Sequence, residues 1–254
     1  MAKTKVVAVI NQKGGTGKTT TTINLGSALS KRGKKVLLLD LDPQSNLSYS
    51  LAVTQPEATL ADVLLGGKSI KDVIIPKDDL WLVPGSNELV DVEISLVTQP
   101  EREKFLKRIL AEAKGFDYIL IDCPPSLSVL TLNALTAAQE VLIPLQMEVL
   151  TLQGLDQIMN TVEKVRKAFN PGLRIKGIVV VMFDMRRKLS QEVLEYLREN
   201  VTEKIFDSQI RLNVKLAEAP SFGRSILDYD ASSNGAKDYR ALAAEYLGEP
   251  DGQE

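Results

Sequence analysis

The sequence predicts an α/β fold, a mostly parallel twisted sheet with helices on both faces. Two observations carry this. Short, continuously apolar runs recur at 6–10, 35–41, 117–121, 140–146 and 173–182. Such runs suit the strands of a parallel sheet that is covered on both sides. Stretches with helical periodicity lie between them, and alternating strand and helix builds a parallel sheet. A third observation marks the ligand end. The first apolar run breaks at Lys13-Gly14-Gly15-Thr16-Gly17 and passes straight into a helical pattern.

Taken in order, residues 5–11 read as the first strand and 17–32 as the first helix, closed by Gly33. The second strand is 35–41. Residues 45–70 read as short helices and turns, with Thr59 as an N-cap. Short strands are expected at 73–75 and 80–83, then a turn at Pro84-Gly85-Ser86 and a helix over 87–97. Pro100 interrupts that helix and 101–114 resumes it. Strand 117–121 follows, then helix 127–138, strand 140–146 and an amphipathic helix over 151–169 closed by Asn170-Pro171-Gly172. Strand 173–182 and helix 189–200 come next. Residues 204–230 read as irregular, 235–247 as the closing helix and 248–254 as a frayed acidic tail. With no internal repeat, linker or low-complexity block, 1–254 is expected to form one domain.

The break at residues 13–19 carries chemistry. Glycines let the backbone curl so that its N–H groups converge on an anion. The helix that follows adds unpaired N–H groups and the positive end of its dipole. Lys18 can reach β- and γ-phosphates, and the Thr19 hydroxyl can ligate Mg²⁺. Asp40 and Asp42 stand at the carboxyl end of the second strand, where open α/β sheets place ligands, and suit Mg²⁺ and water. The strand 117–121 ends in Asp122, a second expected metal carboxylate. Cys123 beside it reads as a small buried residue.

Composition narrows the chemistry. The chain of 254 residues is 44% hydrophobic and 25% charged, ordinary for a globular protein with a sizeable core. It contains no histidine, which excludes an imidazole base, a histidine triad and a histidine metal ligand. One cysteine excludes an internal disulfide and a CxxC metal site. The net charge of −2 means that nucleic-acid binding would need a local basic patch. No signal peptide is read ahead of the first strand, and no apolar run approaches the roughly 18 residues of a membrane span, so a cytoplasmic location is expected.

The loop departs from the common G-x-x-x-x-G-K-[ST] pattern, because Gln12 stands where glycine is needed and Lys13 precedes the glycines. This resembles the deviant Walker A loop of P-loop NTPase-like ParA/MinD ATPases. Five blocks resemble the ParA/Soj-type chromosome or plasmid partition ATPases: KGGTGKTT at 13–20, DLDPQSN at 40–46, DCPPS at 122–126, the strand leading to Met182-Phe183-Asp184, and LAEAPSFG at 216–223. The resemblance implies a cytoplasmic, nucleoid-associated ATPase of weak intrinsic activity that uses ATP and Mg²⁺. It implies an ATP-dependent homodimer, non-specific DNA binding, stimulation by a ParB-type centromere-binding partner, and no membrane. Lys13, Gly14, Gly15, Thr16, Gly17, Lys18, Thr19 and Thr20 would surround the phosphates, with Lys13 acting in trans on the partner's nucleotide. Asn213 would lie near the adenine. Thr19, Asp42 and Asp122 would serve the metal, and Asp42 would position the attacking water. Arg186, Lys215 and Arg224 match or lie near DNA-contacting positions of Soj-type relatives. Departures occur at Thr16, where valine is common, at Ser45, where glycine is usual, and at Arg211-Leu212, where Pro-Arg is usual.

Other members of the superfamily fit less well. A MinD-like membrane-site regulator would end in a basic amphipathic helix, and this chain ends GEPDGQE. An ATPase that positions another cargo, such as an organelle or protein array, stays open on the sequence.

Overall fold

The computed structural model describes residues 4–250. In chain order its elements are β1 (Lys5–Val9), α1 (Lys18–Lys31), β2 (Val36–Asp40), α2 (Asn46–Ser50), α3 (Leu60–Leu64), α4 (Ile70–Val73), β3 (Ile75–Lys77), β4 (Leu80–Val83), α5 (Leu89–Val97), α6 (Phe105–Leu110), β5 (Tyr118–Asp122), α7 (Val129–Ala137), β6 (Glu140–Gln146), α8 (Val149–Ala168), β7 (Arg174–Val181), α9 (Lys188–Asn200), α10 (Val214–Glu218), α11 (Ile226–Tyr229) and α12 (Asn234–Leu247). The sheet order is β3-β4-β2-β5-β1-β6-β7, parallel throughout except for β3 against β4.

Strand alternation divides the core between the two faces. Val6 and Ala8 join Leu37, Leu39, Ile119 and Ile121 beneath α5, α7 and α8. Val7 and Val9 join Leu38, Leu120 and Leu142 beneath α1 and α12. Between their end residues the central strands are therefore apolar on both faces, which is why they read as runs and not as alternations. β1 lies between β5 and β6. The chain leaves it for β2 on one side and later returns to β6 on the other, so a crevice opens at its carboxyl end.

Some boundaries differ from the sequence reading. The strand expected at 73–75 is the end of α4, and β3 begins at Ile75. The helix expected over 101–114 is shorter, because Glu101 adopts a left-handed φ of 53° and a single 3-10 turn, Arg102–Lys104, precedes α6. Within 204–230 the chain is not wholly irregular, since it holds α10 and α11. Thr59 does cap α3, in a capping box with Asp62. α7 is largely buried, which makes it a core helix in this chain. α12 ends at Gly248 with φ 71°. Of the expected tail, residues 251–254 lie outside the described residues.

Candidate nucleotide site

The loop after β1 turns through Gly15 and Gly17, both with left-handed φ (73° and 75°) that side-chain-bearing residues adopt at a cost. A Cβ built on Gly14 or Gly15 would meet nothing within 4 Å, so no protein packs against the loop there. The first hydrogen bond of α1 runs from Thr21 N–H to Gly17 O at 2.8 Å. The amides just ahead of it have no intrahelical acceptor and remain available to an anion. Thr16 is fully buried, and its hydroxyl donates to Lys13 O at 3.1 Å. Gln146, at the end of β6, donates to Gly15 O at 3.3 Å and braces the loop from the other side.

Lys18 is 7% exposed and its Nζ donates to Lys13 O at 3.2 Å. Burial holds its ammonium below the usual lysine range, against the pull of Asp122 and Asp42. The Thr19 hydroxyl donates to Asp122 Oδ2 at 2.6 Å. Asp122 is 1% exposed, and its Oδ1 has no partner. Burial first and the neighbouring Asp40 second push its carboxyl up to about 8. Asp40 faces it across the β2–β5 register and is itself pushed up to about 6, mainly by burial. Asp42, two residues past β2, is 7% exposed and accepts Gln44 N–H at 2.9 Å. Cys123 is fully buried and its thiol is pushed well up, so it is no nucleophile.

This donor set suits Mg²⁺. A buried carboxylate oxygen without a partner lies beside a hydroxyl, and all the donors are hard oxygens. Among the described residues no group of three or more acidic, histidine or cysteine side chains forms a metal cage. Mg²⁺ is commonly held by one or two protein groups plus phosphates and water, so this is consistent.

Lys13 points elsewhere. Its Nζ sits 2.7 Å from Glu148 Oε2 of the same chain, at the start of α8, with both side chains about half exposed. The sequence offered no sign of that pairing across 135 positions. Asn213 caps α10 by accepting Lys215 N–H at 2.8 Å. It lines a largely apolar pocket of about 270 Å³ with Gly17, Thr20, Met182, Leu216 and Tyr239. Arg211 does not enter this pocket as a free cation, because its guanidinium is forked onto Asp238 of α12 at 2.5–3.1 Å. Leu212 is left 63% exposed beside it.

The three basic residues expected to meet DNA are on the surface but not equally free. Arg186 is held by Asp184 through two bonds of 2.9 and 3.0 Å. Lys215 pairs with Glu218 at 2.8 Å. Arg224 is exposed, after the turn that closes the 3-10 segment Ala219–Phe222. A bridge between Phe183 and Arg211 stitches the Arg186 turn to the segment leading into α10.

Residues 4–175 match the AAA domain family. A chromosome-partitioning ATPase Soj of Treponema pallidum is 46% identical over 98% of this chain and 99% of its own. A chromosome partitioning protein ParA of Caulobacter vibrioides is 44% identical over 96% and 94%. A crystal structure of cobyrinic acid a,c-diamide synthase from Mycobacterium smegmatis, with bound ATP analogue and magnesium, superposes with a TM-score of 0.86 at 36% identity, covering 96% of this chain and 95% of that one.

Proposed function

The chain belongs to the Soj/ParA family of chromosome-partitioning ATPases, and on that premise we propose that it is an ATP-driven DNA-partitioning switch. ATP binds the glycine loop with Mg²⁺. Two chains close over two nucleotides, the dimer binds DNA without sequence preference, and hydrolysis stimulated by a ParB-type partner releases it. The observation that carries this reading is the cluster of buried Lys18, half-buried Thr19 and buried Asp122, in which a carboxylate oxygen stands unpartnered beside a phosphate loop.

Each group has a task. Lys18 and the amides of 15–20 hold the β- and γ-phosphates, with Thr20 toward the α-phosphate. Thr19, Asp122 and Asp42 would hold Mg²⁺. When bound, Mg²⁺ neutralises charge developing on the phosphate oxygens. Asp42 orients the attacking water. The pocket beside Asn213 takes the adenine. Lys13 exchanges Glu148 for phosphate charge on the opposite nucleotide when the dimer forms, much as an arginine finger acts. Relatives named for chromosome partition are more similar to this chain than the diamide synthase is, over nearly the whole chain, which favours partition over amide synthesis.

DNA contact through Arg186, Lys215 and Arg224 goes to phosphates, the part of a duplex that carries no sequence information. Each of the first two must give up a local carboxylate to do so. A dimer with about six such contacts gives a log–log salt slope of about −5. The test is a mobility shift on unrelated duplexes with ATP, ADP and no nucleotide over a salt series. Binding with ATP alone, lost in an Arg186→Glu/Lys215→Glu double variant, is the expected outcome. Equal binding in all three nucleotide states overturns the proposal.

A further inference from the structure

Asp40 is buried and stands two residues before the proposed hydrolytic Asp42, and one of its carboxylate oxygens is spent on a separate task while Oδ1 has no partner. Its Oδ2 accepts two hydrogen bonds from one residue, Ser48 N–H at 2.8 Å and Ser48 Oγ–H at 2.6 Å. The Ser48 hydroxyl in turn accepts Gly85 N–H at 3.0 Å. Ser48 is 2% exposed and Asp40 fully buried. The two close a short ring of chain around the segment 41–47. The β4–α5 turn seals that ring, and contact there is tight. A Cβ on Gly85 would lie 2.9 Å from Asp40 O and 3.0 Å from Asp40 Cγ.

Asp42 sits inside this ring. Upstream it is fixed by the strand, whose ladder continues one step through Leu41 N–H to Asp122 O at 3.0 Å. Downstream it is fixed by its own turn, with Ser45 N–H on Asp42 O at 2.8 Å and Gln44 N–H on Asp42 Oδ1. Ser45 enters α2 through a left-handed φ of 52°, a conformation that a short loop keeps only if both ends are held. The ends are held by Asp40 and Ser48.

We propose that Asp40, Ser48 and Gly85 form a clamp that positions Asp42 for hydrolysis, with Ser48 its pivot. The bonds of the clamp run between its own members, so Ser48 and Gly85 act through Asp40 and the segment 41–47 as positioning residues. This rests on the reading of Asp42 as the residue that orients the attacking water. Displacing a reacting group by about 1 Å costs up to about a hundredfold in rate. A clamp failure therefore falls on kcat and spares nucleotide affinity, which the glycine loop supplies.

The experiment compares the full chain with its Ser48→Ala, Ser48→Thr and Gly85→Ala variants. Steady-state kcat and KM for MgATP are measured, together with the Kd of a fluorescent ATP analogue and amide hydrogen exchange over 41–48. Ser48→Ala is expected to lower kcat about ten- to a hundredfold, leave Kd within about twofold and speed exchange in that segment. Ser48→Thr keeps the hydroxyl and should recover most of the rate. Gly85→Ala should reproduce the kcat loss from the other side of the clamp. Unchanged kcat in Ser48→Ala, with the parent active, overturns the positioning role alone. An equal loss of kcat and of nucleotide affinity also overturns it, since that is a collapsed site. A parent chain with no ATP turnover overturns the hydrolytic reading of Asp42, and this proposal with it.

Discussion

Two buried carboxylates mark opposite ends of one sheet, and they are treated in opposite ways. Asp122 closes β5 at the carboxyl end. It takes one hydroxyl, keeps one oxygen unpartnered and is pushed up to about 8. Glu140 opens β6 at the other end and is just as buried. Its Oε2 accepts the Tyr246 hydroxyl at 2.5 Å, and its Oε1 accepts Arg174 at 2.5 Å with Lys5 at 3.8 Å. Burial alone would push Glu140 up. The Tyr246 bond, Arg174, Lys176 and Lys5 outweigh it and hold its carboxyl below the usual range. A buried polar group that is fully paired belongs to the scaffold, whereas one left short of partners marks a place for something else.

The sharpest way to break the comparison is to remove Lys18, the cation buried at the carboxyl end. Lys18→Ala should weaken nucleotide binding by about 3 kcal/mol, a hundredfold or more, because phosphate charge loses its desolvated counter-ion. Calorimetric titration with MgATP measures it. The melting temperature without nucleotide should fall little, since among the described residues the Lys18 ammonium donates one hydrogen bond, to Lys13 O.

Glu140→Ala should do the reverse. It leaves the buried Tyr246 hydroxyl without an acceptor and costs about 2 kcal/mol of stability. A urea midpoint checks this, while turnover per folded molecule should match the parent. A loss of turnover equal to that of Lys18→Ala would erase the distinction between the two ends.

Titration should sharpen the same contrast, because the two carboxylates carry opposite signs. The folded chain favours neutral Asp122, so its contribution is complete below about pH 4 and is lost as pH rises through about 8. Asp40 adds the same sign up to about 6. Glu140 is depressed, so its contribution is present above the usual glutamate range and is lost as pH falls through its folded value. Melting curves of the nucleotide-free chain should therefore flatten between pH 4 and 8 in Asp122→Asn and at the acid end in Glu140→Gln. Binding of MgATP near pH 7 should release protons, read as a dependence of binding heat on buffer ionisation.

The smallest effect concerns the loop between the two Asp40–Ser48 anchors. Ser45→Gly removes a side chain from a left-handed residue, worth about 1–2 kcal/mol, and adds unfolded-state freedom that offsets roughly half of it. A net gain of about 0.5–1 kcal/mol in a urea midpoint is expected, with ATP affinity unchanged.

Much of this was legible before any coordinates. β1, β2, β5, β6 and β7 announced themselves as apolar runs because both faces of each are covered. Lys18, Thr19 and Asp122 could be placed at one end because each terminates or follows a strand. Other features were not legible for a simple reason. Glu140 and Tyr246 are separated by 106 positions, Lys13 and Glu148 by 135, and no local pattern links them. The early end of α6 was missed because helical composition runs on through 111–114 while the backbone turns toward β5.

Local chemistry, then, was decided by the sequence alone: which segments extend, where glycine frees the backbone, and which hard-oxygen and cationic groups gather near a phosphate. These follow from side-chain polarity and backbone sterics within a few residues. Pairing across the sheet was decided only by the tertiary structure. Register sets Asp40 beside Asp122, Ser48 turns Asp40 into an anchor, and Arg174 and Tyr246 satisfy Glu140. Whether a buried carboxylate is a scaffold bond or a site depends on who stands within about 3 Å of it, and that is set by chain closure over many tens of residues.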